Sequence, residues 1–289
     1  MIDLCEVHEQ LLDILLEFDR ICRKYDIKYT LAWGTMLGAV RHKGFIPWDG
    51  DVDILMMRDE YERFCRVCSR ELGKNYFFQT KENEPLYRYN VARIRKNGTA
   101  MIYKGWKDVG FHQGIYIDVQ PLDCIPDGRI RRFFQKAFIV INTPVRISVN
   151  PKLYTGNGTD YSKFIKNIIF YIARIMPKKL CDKIEYYFTT KYNNKKVKCS
   201  KIGVICEGGL LLKPTRDMIP FNREYMNDYE EVTFEGHNFM CVKARDELLS
   251  FWYGDYMELP PENERIIDHD LVVFDASRSY KEYLREGVI

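Results

Sequence analysis

Asp49, Asp51 and Asp53 fall within five positions at the end of the segment running from Gly34 to Ile54. Carboxylates so crowded repel one another unless a cation or a proton lies between them. Asp51 and Asp53 are two apart, and on an extended strand residues i and i+2 share a face. Val52 and Ile54 then take the opposite face, toward a core. Hard oxygen ligands presented this way suit Mg²⁺ (or Mn²⁺), which is held by one or two carboxylates together with substrate phosphates. Upstream, Gly34 and Gly38 leave backbone N–H groups open to close approach by a phosphate. Taken alone, D-x-D also fits an acidic surface turn.

The elements that must position these residues follow from apolar spacing. Leu4, His8, Leu11, Leu12, Leu15, Leu16, Phe18 and Ile21 recur at helical intervals, give a broad apolar face and predict a helix over 4–25. A strand from Lys28 to Ala32 leads into a Gly34 loop, followed by a strand over Asp51–Leu55 and a helix over Asp59–Leu72. Val91–Lys96 and Thr99–Tyr103 flank Asn97-Gly98, a strong hairpin signal. In Gly114-Ile115-Tyr116-Ile117-Asp118-Val119, alternation turns Ile115, Ile117 and Val119 inward and Tyr116 and Asp118 outward. Asp118 is therefore the natural third carboxylate. Three acids on neighbouring strands facing one cleft is the arrangement of metal-dependent phosphoryl and nucleotidyl transfer. Arg93 and Arg95 share a strand face and could brace a diphosphate. Lys43, Lys96 and His112 are further candidates, each equally readable as structural. A second hairpin is expected over Glu231–Val242, and a helix from Arg245 to Trp252 that ends near Gly254.

The Gly34–Ile54 segment resembles the signature of the LicD/fukutin family. Gly34-Thr35-Met36-Leu37-Gly38-Ala39 matches its G-T-x-L-G-A. Arg41 to Asp49 matches R-H-x-G-F-I-P-W-D, and D-x-D follows. Gly50 departs from the pattern, where the family more often carries Asp. Gly114–Asp123 resembles the second block. Tyr253-Gly254-Asp255-Tyr256-Met257 with Pro260-Pro261 and Arg265 resembles the third. The resemblance covers Leu11–Asp127 well and Phe234–His269 in outline.

It implies an α/β (α+β) chain with a nucleotidyltransferase-like mixed sheet flanked by helices. It also implies a phosphotransferase in which Asp51, Asp53 and Asp118 form the metal-binding catalytic triad and Asp123 is structural. Gly34, Thr35, Gly38, Arg41, Asp49, Arg93 and Arg95 become candidates for substrate and phosphate contacts. The implied donor is a CDP-activated alcohol, foremost CDP-choline. The implied acceptor is a sugar hydroxyl on a glycan or lipid-linked glycan precursor. Ribitol or glycerol phosphate transfer, nucleotidyl transfer to a small molecule, and a non-catalytic glycan- or lipid-binding protein are the competing readings.

Hydrophobic content of 46% and charged content of 29% are those of a soluble globular protein. No apolar run approaches the ~20 residues of a membrane span. The first residues lack the pattern of a signal peptide, so a cytoplasmic setting is expected. The nine cysteines are odd in number and scattered, which favours free thiols. Cys65 and Cys68 form a lone C-x-x-C without a second pair at zinc spacing.

The net charge of +3 hides an asymmetry: 128–201 holds 17 Lys and Arg against 3 Asp and Glu, leaving 27 against 38 elsewhere. Such a block suggests an anionic partner. The expectation is peripheral contact with anionic lipid at the inner face of a membrane, helped by an amphipathic helix over Tyr161–Met176. A solvated helical insertion is the alternative. The acidic remainder argues against nucleic acid. The expected organisation is a catalytic core over 1–127, a basic aromatic helical insertion over 128–201, and a C-terminal part over 202–289 that completes the substrate pocket.

Overall fold

The computed structural model describes residues 4–107, 109–147, 171–173, 175–193, 197–206, 219–265 and 270–287, without the side chains of 141–147. The fold is mixed α/β, as expected. Contacts divide the chain into two compact units. One comprises 1–79, 91–121 and 224–289; the other comprises 80–90 and 122–223.

The first unit is built on a sheet of order β1-β2-β6-β4-β3. These strands are Thr30–Leu31, Asp53–Met57, Tyr116–Ile125, Ala92–Lys96 and Tyr76–Gln79, with β6 running on into the second unit at Leu122. Helix α1 (Leu4–Lys24) buries Val7, Leu11, Ile14, Leu15, Phe18 and Ile21. Their i, i+3, i+4 spacing puts them on one stripe, and each fully buried side chain of this kind contributes about 1.5–3 kcal/mol of burial free energy. Phe18 meets Phe64 of α3 (Arg58–Glu71) at 5.0 Å between centroids, and Phe64 meets Phe78 of β3 at 5.8 Å. This aromatic column ties both helices to the sheet.

The segment after β1 is a helix, α2 (Trp33–Arg41), where a glycine loop was expected. Met36 N–H already bonds to Ala32 C=O at 3.0 Å, so both glycines lie within helical backbone. Gly38 is required by close packing: a Cβ there would fall 2.5 Å from the Gly44 carbonyl oxygen. At the other end of the helix Trp33 is buried and carries φ +42, a strained start for a bulky residue.

The Asn97-Gly98 turn forms, with Gly98 at φ +78, but the hairpin does not. Both edges of β4 are taken by β3 and β6. The strand after the turn, β5 (Ala100–Tyr103), instead pairs antiparallel with β11 (Leu271–Asp275). The second hairpin forms as expected. β9 (Tyr229–Phe234) pairs with β10 (His237–Val242) through Glu235 and Gly236, whose φ values of +49 and +76 fit a two-residue hairpin turn. This turn docks on the signature segment, since Phe45 N–H donates to the Glu235 carboxylate at 2.9 Å. Helix α6 (Arg245–Tyr253) follows and stops at Gly254, φ +73.

In the second unit, the latter part of β6 pairs with β7 (Lys201–Gly203), and β7 with β8 (Phe221–Asn222). Helices α4 (Arg129–Ile147) and α5 (Lys178–Thr190) pack together there. Most of the expected Tyr161–Met176 helix lies outside the described residues. All nine cysteines are free thiols.

Candidate active site

Strand β2 starts at Asp53, with Asp51 and Val52 in the extended segment before it. Val52 and Ile54 are buried, Asp53 is half-buried and Asp51 is exposed, as the alternation requires. Thr35 of α2 holds this segment, because its buried hydroxyl accepts from Asp53 N–H at 3.0 Å. Ala32 N–H donates to Asp53 C=O, also at 3.0 Å. On the other side, Asp118 N–H donates to Val52 C=O at 2.9 Å. That bond sets Asp118 level with the residue between Asp51 and Asp53.

The charges register this crowding. Asp51 is pushed well above the usual carboxylate range by enclosure among protein atoms and by the negative charges of Asp49, Asp53 and Asp118. Its side chain opens to solvent, which weakens the first cause, so repulsion by three neighbouring carboxylates carries the shift. Asp49 is raised as well, by burial, and the two carboxyls are hydrogen-bonded to each other.

Asp49 is fastened from two sides. Its carbonyl accepts from His8 Nε2 at 2.7 Å, and the His8 ring stacks on Phe45 at 4.1 Å. Its carboxylate lies against the first turn of α2, so close that a Cβ on Gly34 would fall 2.2 Å from Oδ2. A negative group at a helix N-terminus is stabilised by the exposed N–H groups and the helix dipole. Gly34 thus makes room for Asp49.

Arg93 stands opposite Asp118 in register on β4 and donates from Nε to Oδ1 at 2.6 Å. Its guanidinium lies over Tyr116 at 4.1 Å and Trp106 at 4.7 Å. Arg95 shares that strand face but is fully buried, donating to Gly114 C=O at 2.7 Å and stacking on Tyr116 at 4.4 Å. Arg41 turns to the C-terminal block, donating to the carbonyls of Tyr256 at 2.8 Å and Glu258 at 3.1 Å. In the same block, Arg265 lies over the Trp48 ring at 5.3 Å. Two arginines therefore join the 255–265 loop to the signature segment.

A model of the LicD/FKTN/FKRP nucleotidyltransferase domain matches residues 26–113, which contain the signature and both strand arginines. Over 263 residues the chain is 32% identical to the lipopolysaccharide cholinephosphotransferase LicD of Haemophilus influenzae, spanning 89% of this chain and 92% of that protein. The chain belongs to the LicD family. It is a LicD-type phosphotransferase. Shorter matches join it to two uncharacterized proteins. RP689 of Rickettsia prowazekii is 28% identical over 102 residues, 29% of this chain and 38% of that protein. RT0683 of Rickettsia typhi is 39% identical over 57 residues, 20% and 18% respectively.

Within this LicD chain the donor set fits a hard divalent cation: carboxylates only, crowded and mutually repelling. Among the described residues, no three His, Cys, Asp or Glu side chains are gathered at ligating geometry. Asp118 is turned to Arg93, and Asp53 Oδ1 accepts from Gln120 Nε2 at 2.9 Å. Gln120 was missed from sequence, though it lies two residues past Asp118 on the same strand face. His8 was missed as well, because it fell on an apolar helical stripe. Lys43 is exposed, and Lys96 pairs with Asp13 at 2.8 Å. Asp123 is fully buried and accepts from the Asn193 amide at 2.7 Å.

Proposed function

We propose that the protein transfers phosphocholine from CDP-choline to a sugar hydroxyl of a surface glycan or glycolipid precursor, releasing CMP. The observation that carries this reading is the bond between Asp118 N–H and Val52 C=O, which brings a third carboxylate to the Asp51–Asp53 pair. The relative's name supplies the phosphocholine and the lipopolysaccharide.

Asp51 and Asp53 would hold Mg²⁺ (or Mn²⁺), with Asp118 completing the set or acting as base. Bound there, the ion would neutralise charge on the diphosphate and on departing CMP. The acceptor oxygen bonds to the choline-bearing phosphorus as the bond to the CMP phosphate breaks. As the base, Asp118 would take the acceptor's proton. Thr35 and Gln120 orient Asp53, and Gly34 admits Asp49. Arg93 reaches a donor phosphate only by releasing Asp118. Arg95, enclosed, positions Tyr116. Arg41 holds the 255–265 loop against the signature segment.

Incubation with Mg²⁺, a sugar acceptor and a panel of CDP-alcohols tests the reading. CMP should accumulate with CDP-choline above CDP-ribitol and CDP-glycerol. CMP left on the acceptor would mean nucleotidyl transfer, and no turnover of any CDP-alcohol would sink the proposal.

A further inference from the structure

Helix α4 carries its apolar stripe on the wrong side for a globular protein. Ile130, Phe133 and Phe134 recur at i, i+3 and i+4 and are 75%, 67% and 49% exposed. The face toward the unit's interior holds Gln135 instead. That residue is buried and donates to the carbonyls of Cys124 at 3.0 Å and Thr189 at 3.4 Å. One turn on, Ile139 joins Ile125 and Ile205 in a small core. Phe138 stacks on Phe188 of α5 at 3.8 Å, so the helix is anchored without Ile130, Phe133 and Phe134. A neighbouring stretch behaves the same way: Ala173 packs on Cys181 while Ile175 is 84% exposed. Bulky apolar groups left open in this way mark an interaction surface.

Charge decides what covers it. Exposed Arg129, Arg131 and Lys136 flank the stripe, within the block of 17 basic and 3 acidic residues. Two copies brought face to face would set these charges against each other. No helix among the described residues is long and apolar enough to cross a membrane. Arginine and lysine around phenylalanine and isoleucine is the pattern of a helix that lies in a lipid interface.

We infer that α4 docks the enzyme on anionic lipid, its Ile130, Phe133 and Phe134 side chains entering the headgroup boundary and its arginines meeting the headgroups. This rests on the proposed function only for its purpose, which is to hold the active site where a lipid-linked acceptor resides.

Flotation with phosphatidylglycerol vesicles and with pure phosphatidylcholine vesicles is the test. The full chain should float with the former at low salt and be released at high salt, and it should ignore the latter. Each basic residue removed from α4 should weaken binding about fivefold. Phe133→Ser with Phe134→Ser should weaken it at least tenfold, with an unchanged circular dichroism spectrum. Failure to float with anionic vesicles, or flotation unaffected by the double substitution, overturns the inference. So does a dimer in solution that the double substitution dissolves, which would make this face a contact between copies. CMP release to a soluble acceptor reads the proposed function separately. Flotation without turnover leaves the docking intact and removes the function, and turnover without flotation does the reverse.

Discussion

Arg93 and Asp118 face each other across β4 and β6, joined at 2.6 Å, with the arginine side chain 8% and the aspartate 19% exposed. The carboxylate proposed to take part in the reaction is therefore also half of a buried ion pair. Removing one partner from such a pair leaves a charge without its compensation, at about 3–5 kcal/mol.

Arg93→Ala should accordingly lower the free energy of unfolding in urea by about 3 kcal/mol. Arg93→Lys keeps the charge but loses the flat stacking on Tyr116 and Trp106, and should lose less. If the pair also aims Asp118, turnover of the folded Arg93→Lys protein should fall through kcat more than through KM. An Arg93→Ala protein as stable as the wild type would show that the pair contributes nothing to the fold.

Asp51 couples function to stability in the opposite direction. Its pKa in the folded chain is raised by neighbouring carboxylates, so stability is lost as the pH rises from the ordinary carboxylate range toward that raised value. Asp51→Asn removes the repulsion and should raise stability at neutral pH by about 1 kcal/mol, modest because the residue is open to solvent. The melting temperature should rise by about 2 °C while turnover is abolished. Millimolar Mg²⁺ should raise the melting temperature of the wild type and leave Asp51→Asn unmoved, since only an ion bound to the folded state stabilises it. A destabilised Asp51→Asn protein, or an equal Mg²⁺ shift in both, would remove Asp51 from the metal site.

Much of this site was legible in sequence because its signals are local. Alternation placed Asp51, Asp53 and Asp118 on strand faces, and the structure keeps that alternation around Val52, Ile54, Ile117 and Val119. What escaped depended on long-range partners. Arg93 and Arg95 have the same local pattern, yet one meets Asp118 and the other is sealed under Tyr116, and only the neighbouring strands decide which. Asn97-Gly98 specified a turn but not the partner of the next strand, which arrives from residue 271 onward. Glycines read as phosphate-approach points proved to make room for Asp49 and for the Gly44 carbonyl, a steric need invisible without the fold.

His112, a candidate for reaching substrate, is held as a neutral ring. Gly114 N–H donates to its Nδ1 at 3.1 Å, which leaves the proton on Nε2 to be given to Asn97 Oδ1 at 3.0 Å. The ring stacks on Phe77 at 5.0 Å. Burial first, then the charges of Arg95 and Lys281, push its pKa down to about 3. The unfolded chain therefore binds this proton near pH 6.5 and the folded chain does not. The stabilising contribution is complete above about pH 6.5 and is lost as the pH falls from there toward 3, at about 1.4 kcal/mol per unit once well below the unfolded value. Urea unfolding at pH 7 and pH 5 should show the wild type losing about 2 kcal/mol more than His112→Asn, with other titrating groups cancelling in the difference. Turnover by His112→Asn should follow the folded fraction alone. Equal acid losses in the two proteins would mean that His112 takes up its proton within the fold. It would then again be a candidate to exchange protons with substrate.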